Sequence, residues 1–259
     1  MIGLWRRWQR SKLYREPFPC AWEELLVERV PLYGILPEPE RTSLRHHVRV
    51  LLDEKAFEGC GGLEVTEEMR VTVAGHAALL LLADPDDYYP TLGTVILYPE
   101  SFAAPVQATD RVGVVTETIE ERLGESWQEG TVVLAWDNIE ELIRGTRCDG
   151  NVIIHEFAHQ IDAQRGICDG ALLRAQGDHC RDWGELLELE QRRQRSAWRR
   201  GRPAVLDPYA FTSPEELFAV ASETFFMRPV RLKTNHPELY AELAEVYGLD
   251  PAAWRLKNR

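Results

Sequence analysis

Several things are scarce in this sequence of 259 residues, and each scarcity excludes a class of protein. The five cysteines are scattered and odd in number, which argues against a disulfide framework and favours a reducing, cytoplasmic compartment. The longest apolar run, from Ala74 to Ala83, is too short to cross a bilayer and contains His76. We therefore expect neither a disulfide-stabilised secreted domain nor a membrane span.

Basic charge is scarce as well. The formal net charge is −12, and because phosphate contacts need a basic surface, we expect no direct nucleic-acid partner. What the sequence does contain is ordinary for a soluble globular protein, with 44% hydrophobic and 28% charged residues. This composition and length are sufficient for one large domain with a real core.

The N-terminal segment, residues 1–19, is basic and aromatic but has no apolar core or cleavage site, so we expect no secretory signal. Trp5, Arg6, Arg7 and Trp8 leave a membrane-surface role open. We favour a loosely ordered basic tail, because chain termini are usually untethered. Residues 20–259 are then expected to form a single domain.

Within that domain the pattern predicts an α+β fold, with a small mixed sheet between mostly helical N- and C-terminal parts. "TVILYP", "RVGVVTETIE" and "TVVLAWD" are rich in β-branched residues and are separated by turns, which is typical of strands. The adjacent His46 and His47 lie on a charged helix and are expected to face solvent. The predicted regions are helical 20–90, sheet 91–140, active-site helices 150–228 and a C-terminal helix 236–256.

The stretch "NVIIHEFAHQID", residues 151–162, carries the strongest chemical signal. Helical residues turn by about 100° each, so His155 and His159 lie one turn apart on one face, and both imidazoles can reach the same point. Apolar residues cover the opposite side. Zinc suits this arrangement, since it binds imidazole nitrogens and keeps one position open for water in catalytic sites. Glu156 lies beside the pair, where its carboxylate could act as a general base.

A catalytic zinc site needs a third protein ligand, and no third histidine follows His159 at a regular spacing. The helix predicted for "TSPEELFAVASETFF" offers Glu216 and Glu223, which share one face. Glu216 also has capping-box spacing from Ser213, and Glu223 would need a partner if buried. The residues alone leave both candidates open. Cys168, His179 and Cys180 lack a regular pair spacing and are only weak support for a second metal site.

Together these segments resemble a known family. "VIIHEFAHQID", "YAFTSPEELFAVASETFFMRP" and "PELYAELAEVYGLDP" are similar to the Mlc titration factor A family of bacterial zinc peptidases, also described as anti-repressors. "GLEVTEEMRVTVAGHAALLLL", "VILYPESF" and "GESWQEGTVVLAWD" resemble that family too. The resemblance covers about residues 17–254.

The resemblance implies a zincin-like, gluzincin-type metallopeptidase whose site is similar to that of the anthrax lethal factor catalytic domain. It implies one Zn2+ per chain bound by His155, His159 and Glu216, with Glu156 as catalytic base. Tyr209 would support the oxyanion of the tetrahedral intermediate. Glu223 and Asp162 then become candidates for orienting a ligand imidazole.

The sequence thus predicts a zinc-dependent peptidase, aminopeptidase-like by resemblance, acting on a peptide substrate. The strand "TVVLAWD" is expected to offer an edge along which the peptide lies extended. The alternative is a binding protein that sequesters a transcriptional repressor of sugar uptake, as the family name implies. An acidic surface would suit the basic face of a DNA-binding protein. A third hypothesis, a zinc-stabilised scaffold without catalysis, also stays open.

Overall fold

The computed structural model describes residues 2–83, 88–100, 102–109, 115–122, 124–127, 130–146, 150–168, 183–201 and 203–254. The helices in these ranges are α1 (Ile2–Leu13), α2 (Cys20–Arg29), α3 (Glu38–Glu54), α4 (Glu67–Leu79), α5 (Trp136–Arg144), α6 (Val152–Arg165), α7 (Trp183–Arg199), α8 (Pro214–Met227), α9 (Pro229–Asn235), α10 (Pro237–Tyr247) and α11 (Pro251–Trp254). The strands are β1 (Ala56–Gly59), β2 (Thr94–Tyr98), β3 (Phe102–Thr109), β4 (Val115–Arg122), β5 (Gly124–Trp127) and β6 (Thr131–Ala135). Short 3-10 turns span Tyr33–Ile35 and Pro208–Phe211.

Four of these strands form one small sheet in the order β1-β2-β6-β5. β1, β2 and β6 run parallel, and β5 is antiparallel to β6. β3 and β4 pair separately as an antiparallel ribbon. The chain is therefore mostly helical with a small mixed sheet, which confirms the α+β expectation.

Two strands differ from the sequence-based expectation. β1 falls inside the region expected to be helical. The sequence did not reveal it, because four residues are too few to show a strand periodicity and the only strand partner of β1 among the described residues is the distant β2. "TVVLAWD", expected to offer a free edge, contains β6, which is paired on both sides. The strand at that end of the sheet is β5, and it contacts α6. The expectation that "TVVLAWD" offers a free edge was therefore wrong: the edge strand is its neighbour β5.

The N-terminal segment is a packed helix, not the loosely ordered tail that we expected. Arg10 of α1 makes a bidentate ion pair with Glu54 at the end of α3, at 2.7 and 2.9 Å. Beyond the helix, the hydroxyls of Tyr14 and Tyr88 lie 2.6 Å apart. Long-range polar contacts of this kind cannot be read from a terminal sequence. The division into a tail and one domain stays a prediction. None of the helices in the described ranges has the length and apolar character needed to span a membrane.

His47 is also placed differently from expectation. It is only 2% exposed. Nε2 lies 3.0 Å from Oγ of Ser43, and Nδ1 lies 3.1 Å from the hydroxyl of Tyr88. Polar partners on both ring nitrogens make this burial tolerable. His46, by contrast, is partly exposed and stacks on Tyr14.

The core positions the two helices that matter most for function. α6 and α8 pack against each other, and every residue of α8 from Leu217 to Phe226 is buried. Phe157 of α6 contacts Tyr89 edge-on at 4.8 Å, and Phe225 of α8 lies among Phe226, Tyr240 and Tyr247. Close aromatic packing of this kind supports both helices.

A buried histidine of α4 should make the fold sensitive to acid. Burial lowers the pKa of His76 to about 4, although its hydrogen bond with the carbonyl of Thr72 opposes the shift. Above the pKa of about 6.5 that His76 has in the unfolded chain, the imidazole is neutral in both states and the contribution of this group to the free energy of unfolding is at its full value. It is lost as the pH falls towards 4, since the unfolded chain then binds a proton that the folded chain excludes.

We expect the free energy of unfolding to decline less between pH 7 and pH 5 in His76→Asn than in the wild type, because Asn can keep the donor to Thr72 but does not titrate. The difference in decline should be on the order of 1–2 kcal/mol. Urea unfolding at the two pH values, with chelator present, measures it. Equal declines in both proteins would contradict the assignment.

Candidate metal centre

α6 forms where the sequence predicts the motif helix. Asn151 caps it, since its side-chain oxygen accepts hydrogen bonds from the amides of Ile153 and Ile154 at 3.2 and 3.1 Å. Gly166 ends it in the left-handed conformation, at φ 61°. The apolar side of the helix is buried, and His155 and His159 emerge together from the other side. The expected boundaries and faces of this helix are confirmed.

α8 brings the third group. Ser213 caps the helix by accepting from the amide of Glu216 at 3.3 Å, and Pro214 occupies the first helical position. The Glu216 side chain does not complete a capping box. Its carboxylate turns instead towards α6, where it meets the two imidazoles.

Three side chains converge at this point. Nε2 of His155 and Nε2 of His159 lie 3.2 Å apart. Oε2 of Glu216 lies 3.2 Å from the first nitrogen and 3.5 Å from the second. These ligand atoms form a group compact enough for a single cation to contact all of them.

The chemistry of the donor set fits a divalent metal ion. Oε2 of Glu216 is buried, and within the described part of the chain it accepts no hydrogen bond. A buried carboxylate oxygen of this kind is costly unless a cation neutralises it. Burial would raise the pKa of Glu216, but the two imidazoles lower it to about 2. Two imidazole nitrogens and one ionised carboxylate are ligands that suit zinc.

Glu156 follows the first histidine but has a different environment. Its side chain is only 5% exposed. Burial raises the pKa of this carboxyl to about 7, although the positive charge of His155 and His159 opposes the shift. A carboxyl group with a pKa near neutrality can both accept and release a proton, as a general base or acid must.

Tyr209 is carried by the 3-10 turn Pro208–Phe211, just before α8. Asp207 caps this turn by accepting from the amide of Tyr209 at 2.8 Å. The phenol is 53% exposed, and its hydroxyl donates to Oε1 of Glu216 at 3.3 Å. Tyr209 therefore stands at the edge of the cluster, and its contact with Oε1 leaves Oε2 as the oxygen that faces both imidazoles.

Glu223 lies two turns beyond Glu216 on α8 and contacts the other side of the His155 ring. Its Oε1 is 2.7 Å from Nδ1 of His155, and its Oε2 accepts the backbone amide of Asn151. Burial would lower the pKa of His155, but the neighbouring carboxylates of Glu216 and Glu223 raise it to about 10. A carboxylate on Nδ1 fixes the ring so that Nε2 points into the cluster.

Asp162 lies elsewhere. Its Oδ1 accepts the amide of Cys168 at 2.8 Å, in the turn that follows α6, and burial raises its pKa. Within the described residues, its hydrogen bonds are to Cys168. No hydrogen bond there supports the expected role of Asp162 in orienting an imidazole. Of the residues considered for a second metal site, His179 and Cys180 lie outside the described ranges.

Sequence reasoning missed two features around this site. The strand β5 was overlooked, although "GESW" and "TVVLA" separated by "QEG" are typical of a hairpin, and Gly130 has φ 80°. The contact of Glu223 with the amide of Asn151 also escaped notice, because it joins residues 72 positions apart. No local pattern indicates such a contact.

Two imidazoles from an HExxH helix and a glutamate from a later helix are the donor set of a metallopeptidase-type site. Consistent with this class, the model of the glucose-regulated metallo-peptidase M90 family matches residues 5–248, and the chain belongs to that family. The family membership implies a metal ion.

Individual relatives extend over nearly the whole chain. An uncharacterized protein of Synechocystis sp. is 34% identical over 248 residues, which cover 95% of this chain and 90% of the relative. Mlc titration factor A of Yersinia pestis (strain Pestoides F) is 29% identical, covering 97% and 92% respectively. The same figures hold for Mlc titration factor A of Yersinia pseudotuberculosis. The resemblance stated from the sequence is confirmed.

The cluster makes a direct prediction about metal affinity. Replacing Glu216 with Gln removes the anionic oxygen that both imidazoles face, so the affinity for Zn2+ should fall by more than about 100-fold. Competition with a chromogenic chelator measures the dissociation constant. Glu215→Gln is the matched control: it changes the neighbouring, exposed carboxylate and should leave the affinity within about twofold. Similar losses in the two variants would contradict the assignment of Glu216.

Proposed function

We propose that this protein is a zinc-dependent peptidase with a zincin-like active site. One observation carries the proposal: Nε2 of His155, Nε2 of His159 and the buried Oε2 of Glu216 all lie within 4.8 Å of one another. The buried carboxyl group of Glu156 directly follows His155 in the chain. Membership of a metallopeptidase family supports the same conclusion. His155, His159 and Glu216 would hold the ion. Zinc supplies Lewis-acid chemistry there, since it lowers the pKa of water towards about 7 and polarises a carbonyl.

Glu156 acts in this proposal as the general base. Its carboxylate takes a proton from the attacking water as the new C–O bond forms at the peptide carbonyl. It then delivers that proton to the amine as the C–N bond breaks. The burial that raises its pKa supports both steps, because a base that is too acidic would not return the proton.

Tyr209 would stabilise the oxyanion that develops on the substrate carbonyl. Its exposed ring lies 6.2 Å from the ring of His155, centroid to centroid, at the open side of the cluster. The hydroxyl would exchange its hydrogen bond with Oε1 of Glu216 for one to the oxyanion. A donor placed for the transition state lowers the barrier more than one placed for the substrate.

β5 is the part of the sheet best placed to receive the substrate. Among the described strands it pairs only with β6, and it contacts α6, which carries the catalytic residues. An extended peptide could add to the outer edge of β5 through backbone hydrogen bonds. The proposal includes an aminopeptidase-like preference, which the family resemblance implies. It also includes a cytoplasmic location, which the scattered cysteines favour. Cys20 and Cys60 are free thiols, which suits a reducing compartment.

Replacing Glu156 with Gln should separate catalysis from metal binding. The amide keeps the shape of the side chain but cannot take a proton, so kcat/KM on a peptide panel should fall by about 10²–10⁴-fold. The zinc content should remain that of the wild type, and Glu215→Gln should keep normal activity. Turnover by the Gln variant at the wild-type rate would exclude Glu156 as the base.

A second function is favoured by the names of the relatives. Proteins called Mlc titration factor A match 97% of this chain at 29% identity. We propose, as the alternative, that this protein binds and sequesters a transcriptional repressor of sugar uptake. The net charge of −12 supports this, because a DNA-binding protein presents basic surface to an acidic partner.

A pull-down with a purified Mlc-like repressor distinguishes one site from two. His155→Ala removes a metal ligand and should abolish peptidase activity. If a separate surface binds the repressor, the variant should capture as much repressor as the wild type. Loss of both properties together would show that repressor binding depends on the metal centre.

A further inference from the structure

Gly150 lies directly before the cap of α6 and has a geometry that only glycine accepts easily. Its φ is 96°, in the region that side chains disfavour. A Cβ built on this residue would lie 2.5 Å from Oε2 of Glu223. That distance is shorter than van der Waals contact allows, so either the backbone or the carboxylate would have to move.

The carboxylate has little freedom to move while keeping its contacts. Oε2 of Glu223 accepts the amide of Asn151, the residue next to Gly150, and Oε1 holds Nδ1 of His155 at 2.7 Å. Glu223 itself is buried on a helix whose neighbouring residues are buried too. Displacing Oε2 from Gly150 would therefore also withdraw Oε1 from the imidazole.

We infer that Gly150 is a positioning residue for the metal centre: the absence of its side chain lets Glu223 reach His155 and hold that imidazole with Nε2 towards the ligand cluster. The inference rests on the proposed metal site and adds a residue that touches neither the ion nor the substrate. Gly150 acts through Glu223, and Glu223 acts through His155.

Gly150→Ala tests this inference, and its matched control lies five residues earlier. Gly145 also has a positive φ, 69°, but a Cβ there would have nothing within 4 Å. Gly145→Ala thus also places a side chain at a positive φ, in the left-handed helical region, without touching Glu223. We expect Gly150→Ala to weaken Zn2+ binding by about 10–100-fold, the range typical when the support of a ligand is lost. Gly145→Ala should bind Zn2+ as the wild type does.

A double-mutant cycle separates positioning from strain. Glu223→Ala should weaken Zn2+ binding about as much as Gly150→Ala, and the double variant should be no worse than either single one, because all three lose the same contact. The double variant should also melt at a higher temperature than Gly150→Ala, since it removes the atom that the new Cβ meets. Effects on affinity that multiply in the double variant would overturn the inference and leave only backbone strain.

A metal-free readout keeps this test independent of the proposed function. In chelator-treated protein, the Nδ1 proton of His155 should give a downfield NMR signal through its hydrogen bond to Glu223. The signal should persist in Gly145→Ala and be lost in Gly150→Ala and in Glu223→Ala. Its persistence in Gly150→Ala would overturn the inference. If the wild type shows the signal but binds no Zn2+, the proposed function fails, while the positioning of His155 by Gly150 stands.

Discussion

Two carboxylates of one buried helix lie against the two ring nitrogens of the same imidazole, that of His155. The rest of the site is arranged around these two contacts. Glu216 and Glu223 are seven residues apart on α8, so both face α6, where one lies at Nε2 of His155 and the other at Nδ1. Burying two negative charges so close together requires compensation. The imidazoles, the amide of Asn151 and, when bound, a divalent cation supply it.

The remainder of the fold maintains this helix pair. Caps at Asn151 and Ser213 fix where each helix begins, and therefore which residues face the other helix. Phe225 of α8 packs against Tyr240 and Tyr247, and Phe157 of α6 packs against Tyr89. The sheet supplies none of the three clustered side chains. It borders the site instead, since its antiparallel strand β5 contacts α6.

Local patterns in the sequence were sufficient for the central part of the site. The HExxH spacing and the apolar opposite side predicted α6 and the side on which His155 and His159 emerge. The third candidate ligand was harder to predict, because Glu216 and Glu223 share a face and spacing alone did not distinguish them. The family resemblance favoured Glu216. Contacts between distant segments could not be predicted from local patterns. The burial of His47, the docking of α1 through Arg10 and Glu54, and the pairing of β1 with β2 all depend on partners far away in the chain.

The tie between Glu223 and the start of α6 also bears on how the ion would be acquired. Within the described residues, buried apolar surface and the Glu223 carboxylate, which reaches from α8 to Asn151 and His155, join the two helices. In zinc fingers, by contrast, coordination provides much of the free energy of folding. Here the ligands are assembled by the fold beforehand, so loading and loss of the ion become ordinary binding equilibria. If the proposed function holds, the amount of metal-loaded protein would follow the supply of the ion, without the chain unfolding when that supply runs low.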